Sequence, residues 1–220
     1  MEDRPTCLVR RVKVAPDLEG HDDLWSRAEP VRLGHYHAKS SDHRPVVSAR
    51  TLYDDEHLYI RFDVEDRYVI AVNTASNSPV YRDSCVEFFF QVRENHYINI
   101  EMNAIGAMLV GQGQEDSGRK HEIDPELIAR IRRWTSLEGP IEEEIEEPVV
   151  WHGAIALPFA LVEELEGPLG ERRPAEGVSW RCNFYKCADR SSHPHWGMWS
   201  PIGEKLSFHQ PKYFGHLKFV

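Results

Sequence analysis

Leu58-Tyr-Ile-Arg-Phe-Asp-Val-Glu65 is the stretch that decides the fold class. Leu58, Ile60, Phe62 and Val64 fall on one side of an extended chain, and Tyr59, Arg61, Asp63 and Glu65 fall on the other. Successive strand side chains point to opposite faces, so this alternation predicts a strand with one face in a core. Working outward, residues 47–53 read as its partner strand. Asp54-Asp-Glu56 between them reads as a turn, where an Asp side chain can bond its own backbone.

The same period recurs downstream. Residues 85–92 and 98–102 read as two more strands, with Val86, Phe88, Phe90 and Val92 on one face of the first and Ile98, Ile100 and Met102 on one face of the second. Matching these faces across a hairpin with a loop over 93–97 predicts Val92 opposite Ile98, Phe88 opposite Met102 and Glu87 opposite Asn103. Residues 111–148 are polar and acidic. Within them, Asp124-Pro125 followed by residues 126–133 fits a short helix with an Asp cap, and the run Glu142–Glu147 fits an exposed edge or loop. Strands are expected again at 149–157, 179–187 and 215–220, and residues 158–165 can add one or two helical turns. No internal repeat occurs. The expected architecture is all-β, an antiparallel β-sandwich with one or two short helices, formed by residues 1–220 as a single domain.

With 220 residues, 41% of them hydrophobic, the chain is long enough for one sizeable core. Its net charge of −10 argues against nucleic acid and anionic membrane as partners, because both reward clustered Lys and Arg. Met1-Glu-Asp-Arg-Pro5 shows no basic segment leading into an apolar one, and no apolar run is long enough to span a bilayer. The sequence as it stands is therefore expected to be cytoplasmic, or secreted if a leader has been trimmed from it. Cys7, Cys85, Cys182 and Cys187 form no C-x-x-C pair and sit among strand residues, which predicts buried, reduced thiols rather than a zinc or redox motif.

Six blocks, in order, resemble the family 9 carbohydrate-binding modules and the stand-alone proteins related to them. They begin at Leu52-Tyr-Asp-Asp-Glu-His-Leu-Tyr, Tyr81-Arg-Asp-Ser-Cys-Val-Glu-Phe and Tyr97-Ile-Asn-Ile-Glu-Met-Asn. They continue with Trp180-Arg-Cys-Asn-Phe-Tyr-Lys, Trp199-Ser-Pro and Phe208-His-Gln-Pro-Lys-Tyr-Phe-Gly. The resemblance implies a jelly-roll type of sandwich that binds a mono- or oligosaccharide without catalysis. It also implies a site in which Tyr81 stands six positions before Glu87, with a second ring, Trp196 or Trp199, completing a slot. Two departures are visible: the first ring is Tyr where better-known members carry Trp, and Asn99, Glu101 and Asn103 stand where those members use a basic residue.

Sugar recognition needs flat rings against the C–H faces of a pyranose, and polar groups for its hydroxyls. Alternation gathers Glu87, Asn99, Glu101 and Asn103 on one face, and Arg181, Asn183 and Tyr185 on another if Trp180, Cys182 and Phe184 turn inward. The ligand-binding set is therefore Tyr81, Glu87, Asn103, Arg181, Asn183, Trp196 and Trp199. Plainer readings stand beside it. Trp151 and Trp180 suit the core, Trp196 and Trp199 could anchor a loop, and Glu87 and Glu101 could pair with Arg61 or Arg181. Asp83 either caps a turn or serves a structural calcium, an ion the resemblance implies. A glycoside hydrolase would use Glu87 and Glu101 as its carboxylate pair. His35-Tyr-His37 and His193-Pro-His195 have the spacing of metal pairs, and Met102, Met108 and Met198 could serve a haem. A sandwich that binds a protein partner and no sugar is the remaining alternative.

Overall fold

The computed structural model of the chain describes residues 4–115 and 120–220. Six strands make one sheet, in the order Lys120–Glu122, Met108–Gln114, His96–Asn103, Cys85–Gln91, Ser179–Cys187 and Gly215–Phe219. Val46–Tyr53, His57–Asp66, Val149–Pro158 and Arg132–Thr135 make the second. Thr6–Arg11 joins them. Its first part runs parallel to the C-terminal strand, with Cys7 opposite Leu217, while Arg10 and Arg11 pair parallel with Leu52 and Tyr53. The other pairings among the described residues are antiparallel. The result is a mostly-β sandwich.

The alternation read from Leu58 to Glu65 places Leu58, Ile60, Phe62 and Val64 in the core, each at most 2% exposed. Phe62 meets Phe184 of the opposite sheet edge to face at 6.1 Å between ring centres. Gly153 lets the sheets close on each other, since a Cβ there would lie 2.7 Å from the Cε of Met102. Asp54 turns the chain as expected: its Oδ1 accepts from the backbone N–H of Glu56 and of His57, at 2.8 and 2.7 Å. Trp151 and Trp180 are core residues, and all four cysteines are buried and free.

Two expectations about these elements need correction. The pairing of Cys85–Gln91 with His96–Asn103 is shifted by two residues from the expected register, so Val86 faces Met102 and Phe88 faces Ile100. A slip of two keeps every side chain on its own face, so apolar patterning could not detect it. The turn decides it, with Asn95 in the left-handed region at φ 66°. The helix expected over 126–133 is the single turn Pro125–Ile128, capped by the Asp124 carboxylate, and Arg132–Thr135 is a strand on the second sheet. The acidic run falls where the sequence put it, on an exposed strand edge: Ile141–Ile145 pairs with Val69–Ala71 in a two-stranded sheet. Met108–Gln114 is a further strand, whose sequence signal is diluted by Gly111 and Gly113.

At one end of the sandwich the inward alternation carries charge. Asp66 follows Val64 and Lys186 follows Phe184, so both point between the sheets, and both side chains are fully buried. The Lys186 ammonium lies 3.2 Å from Asp66 Oδ2 and 2.8 Å from His195 Nε2, and donates to the Cys187 carbonyl at 3.1 Å. Asp66 Oδ1 also accepts from His43 Nε2 at 2.8 Å. Burial pushes the Asp66 carboxyl up, but Lys186 and His43 outweigh it and hold it below the usual range. Burial, then Lys186, pushes His195 down to about 3, so it stays neutral and its Nε2 accepts a hydrogen bond from the ammonium. The stability that depends on the lowered Asp66 is present above the ordinary carboxyl pKa of 3.8 and is lost as pH falls below it. Asp66→Asn leaves the Lys186 charge stranded, and urea unfolding should show a loss of about 3–5 kcal/mol. A loss below about 1 kcal/mol would mean that the buried pair adds little net stability to the fold.

Candidate functional site

Strand alternation sends Val86, Phe88 and Phe90 inward, and so turns Cys85, Glu87, Phe89 and Gln91 to the outer face of the first sheet. That face is not bare. Residues 188–214 fold back across it, and over it lies a cleft of about 560 Å³. Glu87 and Phe89 form its floor together with Asn99 and Glu101 of the next strand. Tyr81, from the short turn Val80–Arg82, stands on its rim with Trp196, which is half-buried. Phe208 and His209 come from the C-terminal segment, and Lys120 from the edge strand.

Each ring is held by its neighbours. Trp196 donates its indole N–H to Asp189 at 2.7 Å, and its backbone N–H to Ser40 Oγ at 3.0 Å. Phe208 lies flat on Tyr185, 3.9 Å between ring centres and 9° between planes. His209 Nδ1 lies 3.0 Å from the Tyr97 hydroxyl, and burial pushes its pKa down to about 3, so it presents a neutral ring. Such rings lose little freedom when a ligand stacks on them.

The floor is unusual in its acids. Glu87 and Glu101 are direct cross-strand partners, 2% and 4% exposed. Glu87 Oε1 accepts from the Cys187 thiol at 3.0 Å, and Glu101 Oε1 accepts from the Asn99 amide at 3.2 Å. Neither Oε2 has a hydrogen-bond partner among the described residues. Burial raises both acids: Glu87 stands well above the usual range, further raised by Cys187 and Glu101, and Glu101 reaches about 8.

The expected set divides. Tyr81, Glu87 and Trp196 come together in the cleft, while the others do not join them. Trp199 is 7% exposed and packs edge to face on Phe184 at 5.7 Å, so it is a core residue. Asn183 is fully buried and ties Ser200 down at both ends: its Nδ2 donates to the Ser200 carbonyl at 2.8 Å and its Oδ1 accepts from the Ser200 N–H at 2.9 Å. Arg181 donates to the carbonyls of Lys212 and Phe214. Asn103 donates to Asp83 and to the Asn73 carbonyl, both at 2.8 Å, and accepts from Ala107. Asp83 is buried, and its two oxygens accept from the Asn73 backbone and amide and from Asn103. Calcium wants oxygen ligands, and here nitrogen donors surround the carboxylate, so Asp83 fits the turn-capping role and not the ion.

Phe89, Asn99, Glu101, Asp189, Phe208 and His209 complete the cleft beyond the expected set. The strand period already put Phe89 and Asn99 on this face. Phe208 and His209 belong to a block that carries the resemblance, but no strand period assigns them to this face, which they reach from more than 100 residues away along the chain. His35 and His37 are not gathered into a metal site: His37 Nε2 meets the Glu204 carbonyl at 3.0 Å, and the described residues hold one cluster of metal-ligating groups, formed by Cys85, Glu87 and Cys187.

The acids give the fold a pH signature. Glu101 keeps its proton in the folded state up to about 8, whereas an unfolded carboxyl gives it up near 4.5. The stability that depends on that proton is full below 4.5 and is lost as pH rises through about 8. Glu101→Gln should flatten this decline in thermal unfolding followed across that range; an unchanged profile would mean that Glu101 is hydrated in solution.

The family model for carbohydrate-binding family 9 matches residues 26–219. No curated protein matches the chain. The crystal structure of a candidate carbohydrate-binding protein from Bacteroides uniformis is 28% identical and superposes with a TM-score of 0.86, covering 99% of this chain and 100% of that one. A family 9 carbohydrate-binding module from Caldicellulosiruptor kristjanssonii in complex with cellotriose is 18% identical, with a TM-score of 0.62 over 98% of this chain and 93% of that one. The same organism's family 9 module in complex with glucose is 18% identical, with a TM-score of 0.59 over 98% of this chain and 96% of that one. At that identity the two complexes speak for the fold, and the family match spans nearly the whole chain: the protein belongs to carbohydrate-binding family 9.

Proposed function

We propose that the chain binds a saccharide, without transforming it, in the cleft above the Cys85–Gln91 strand. The observation that carries this reading is the combination in one cleft of fixed aromatic rings and a floor of hydrogen-bonding groups with capacity to spare. Trp196 and Tyr81, with Phe208 deeper, offer apolar faces to a pyranose. Asn99 both donates and accepts, and Glu87 and Glu101 hold unengaged oxygens for hydroxyls. Family membership supports the ligand class, as do the related modules in complex with cellotriose and glucose.

Hydrolysis fits the same residues poorly. A retaining or inverting glycosidase needs one carboxyl protonated and its partner ionised at working pH. Burial raises Glu87 and Glu101 together, so at neutral pH neither is set as nucleophile or base.

Tryptophan fluorescence titrated with glucose, cellobiose and cellotriose should give a saturable change. Trp196→Ala and Tyr81→Ala should each weaken the affinity at least about tenfold, or 1.4 kcal/mol, with the fold intact. Trp199→Ala should behave differently, losing about 3–5 kcal/mol of stability because it empties a core position. No saturable response to any sugar in folded protein would sink the saccharide reading and point to a protein partner. Release of nitrophenol from aryl glycosides would overturn the non-catalytic one.

A further inference from the structure

We propose that Cys85, Cys187 and Glu87 form a binding site for a thiophilic divalent cation, zinc being the natural candidate, beneath the floor of the cleft. Cys85 and Cys187 are direct partners across the central strand pair, and Glu87 follows Cys85 by two residues on the same face. The three side chains are at most 2% exposed. One ligand atom from each lies within 4.8 Å of the others. A tetrahedral zinc ion with Zn–S bonds of about 2.3 Å sets its thiolates roughly 3.8 Å apart, so the three atoms stand within about 1 Å of the spacing required.

A second observation points to a cation. Glu87 Oε2 is buried with no partner among the described residues, and an unmet acceptor in such a place costs about 1–3 kcal/mol. Glu87 Oε1 meets only the weak Cys187 thiol donor, whose sulfur also lies 3.3 Å from the Tyr81 carbonyl. A metal ion satisfies both sulfurs and the carboxylate together. Two sulfurs and one oxygen suit zinc or cadmium and poorly suit calcium or magnesium. Three protein ligands leave a fourth position, and Glu87 and Cys187 both line the cleft, which gives the ion its way in.

Loading is a proton exchange. Burial pushes the Cys85 thiol up to about 12 and holds the Cys187 thiol well above its usual value, so in the absence of metal both keep their protons. A divalent cation takes the place of the two thiol protons and of the Glu87 proton, which pass to solvent, with no change of oxidation state. Affinity therefore rises steeply with pH.

The test is a cobalt titration of the reduced 220-residue chain under anaerobic conditions. One equivalent should produce the near-ultraviolet thiolate-to-cobalt charge-transfer band and the strong visible bands of a tetrahedral site, and zinc should bleach both. Cys85→Ser with Cys187→Ser should weaken binding at least about 100-fold and abolish the charge-transfer band, and Glu87→Gln should weaken it about tenfold. Cys7→Ser with Cys182→Ser should leave the spectrum unchanged. Should the Cys85 and Cys187 variants not fold, the wild type decides: zinc should protect Cys187 from alkylation, read by peptide mass spectrometry. Absence of the charge-transfer band, its survival without Cys85 and Cys187, equal alkylation of Cys187 with and without zinc, or a Cys85–Cys187 disulfide in place of the metal would each overturn the proposal. Sugar titrations in chelator measure the cleft separately, so the two readings can fail independently.

Discussion

The Cys85–Gln91 strand is buried along its whole length, and the rest of the molecule is arranged around that constraint. Its inner face, Val86, Phe88 and Phe90, packs in the sandwich core. Its outer face carries Cys85, Glu87 and Phe89, and is covered by the segment that returns after Ser179–Cys187. A strand with one solvated face would keep Glu87 ionised and hydrated. Covered, Glu87 and its cross-strand partner Glu101 lose water without gaining full sets of hydrogen-bond donors, so both favour the neutral form.

Two kinds of buried polarity therefore coexist. Between the sheets, Lys186 and Asp66 meet as a satisfied ion pair, with His195 neutral beside them and His43 on the far oxygen. This arrangement closes its own hydrogen-bond requirements and leaves nothing for a ligand. On the outer face, Glu87 and Glu101 are left with an oxygen each. An unsatisfied group is costly in a fold that gains nothing from it, and useful where a ligand supplies the missing partner. That difference separates the structural network from the binding site.

The covering segment makes the cleft what it is. Phe208 lies on Tyr185, Trp196 is tied to Asp189, and His209 sits beside the Tyr97 hydroxyl, so the rings are oriented before any ligand arrives. Asn183 and Arg181, on the neighbouring strand, support this from behind by holding the backbone at Ser200 and at Lys212 and Phe214. Sugar-type polar residues thus act one layer below the cleft, as anchors of the segment that bounds it.

Much was legible in the sequence, because local periodicity is a local property. Alternation from Leu58 to Val64 and from Val86 to Phe90 was enough for the sandwich and for which side chains face its core. The same period put Glu87, Phe89, Asn99 and Glu101 on one face, and the family resemblance, not the spacing alone, marked Tyr81, Glu87 and Trp196. Pairing partners were beyond it, since a slip of two residues preserves every face and only the turn at Asn95 chooses between registers. Tertiary structure alone decided which polar residues stay free and which are consumed by the backbone: Asn103, Asp83 and Asn183 have the chemistry of ligand contacts, but neighbouring loops take their hydrogen bonds. It alone sent Trp199 inward and Trp196 to the rim, though the two stand three residues apart. It also brought Cys187 beside Cys85 across 102 positions of chain, because strand pairing sets contacts by register, and sequence spacing carries no trace of it.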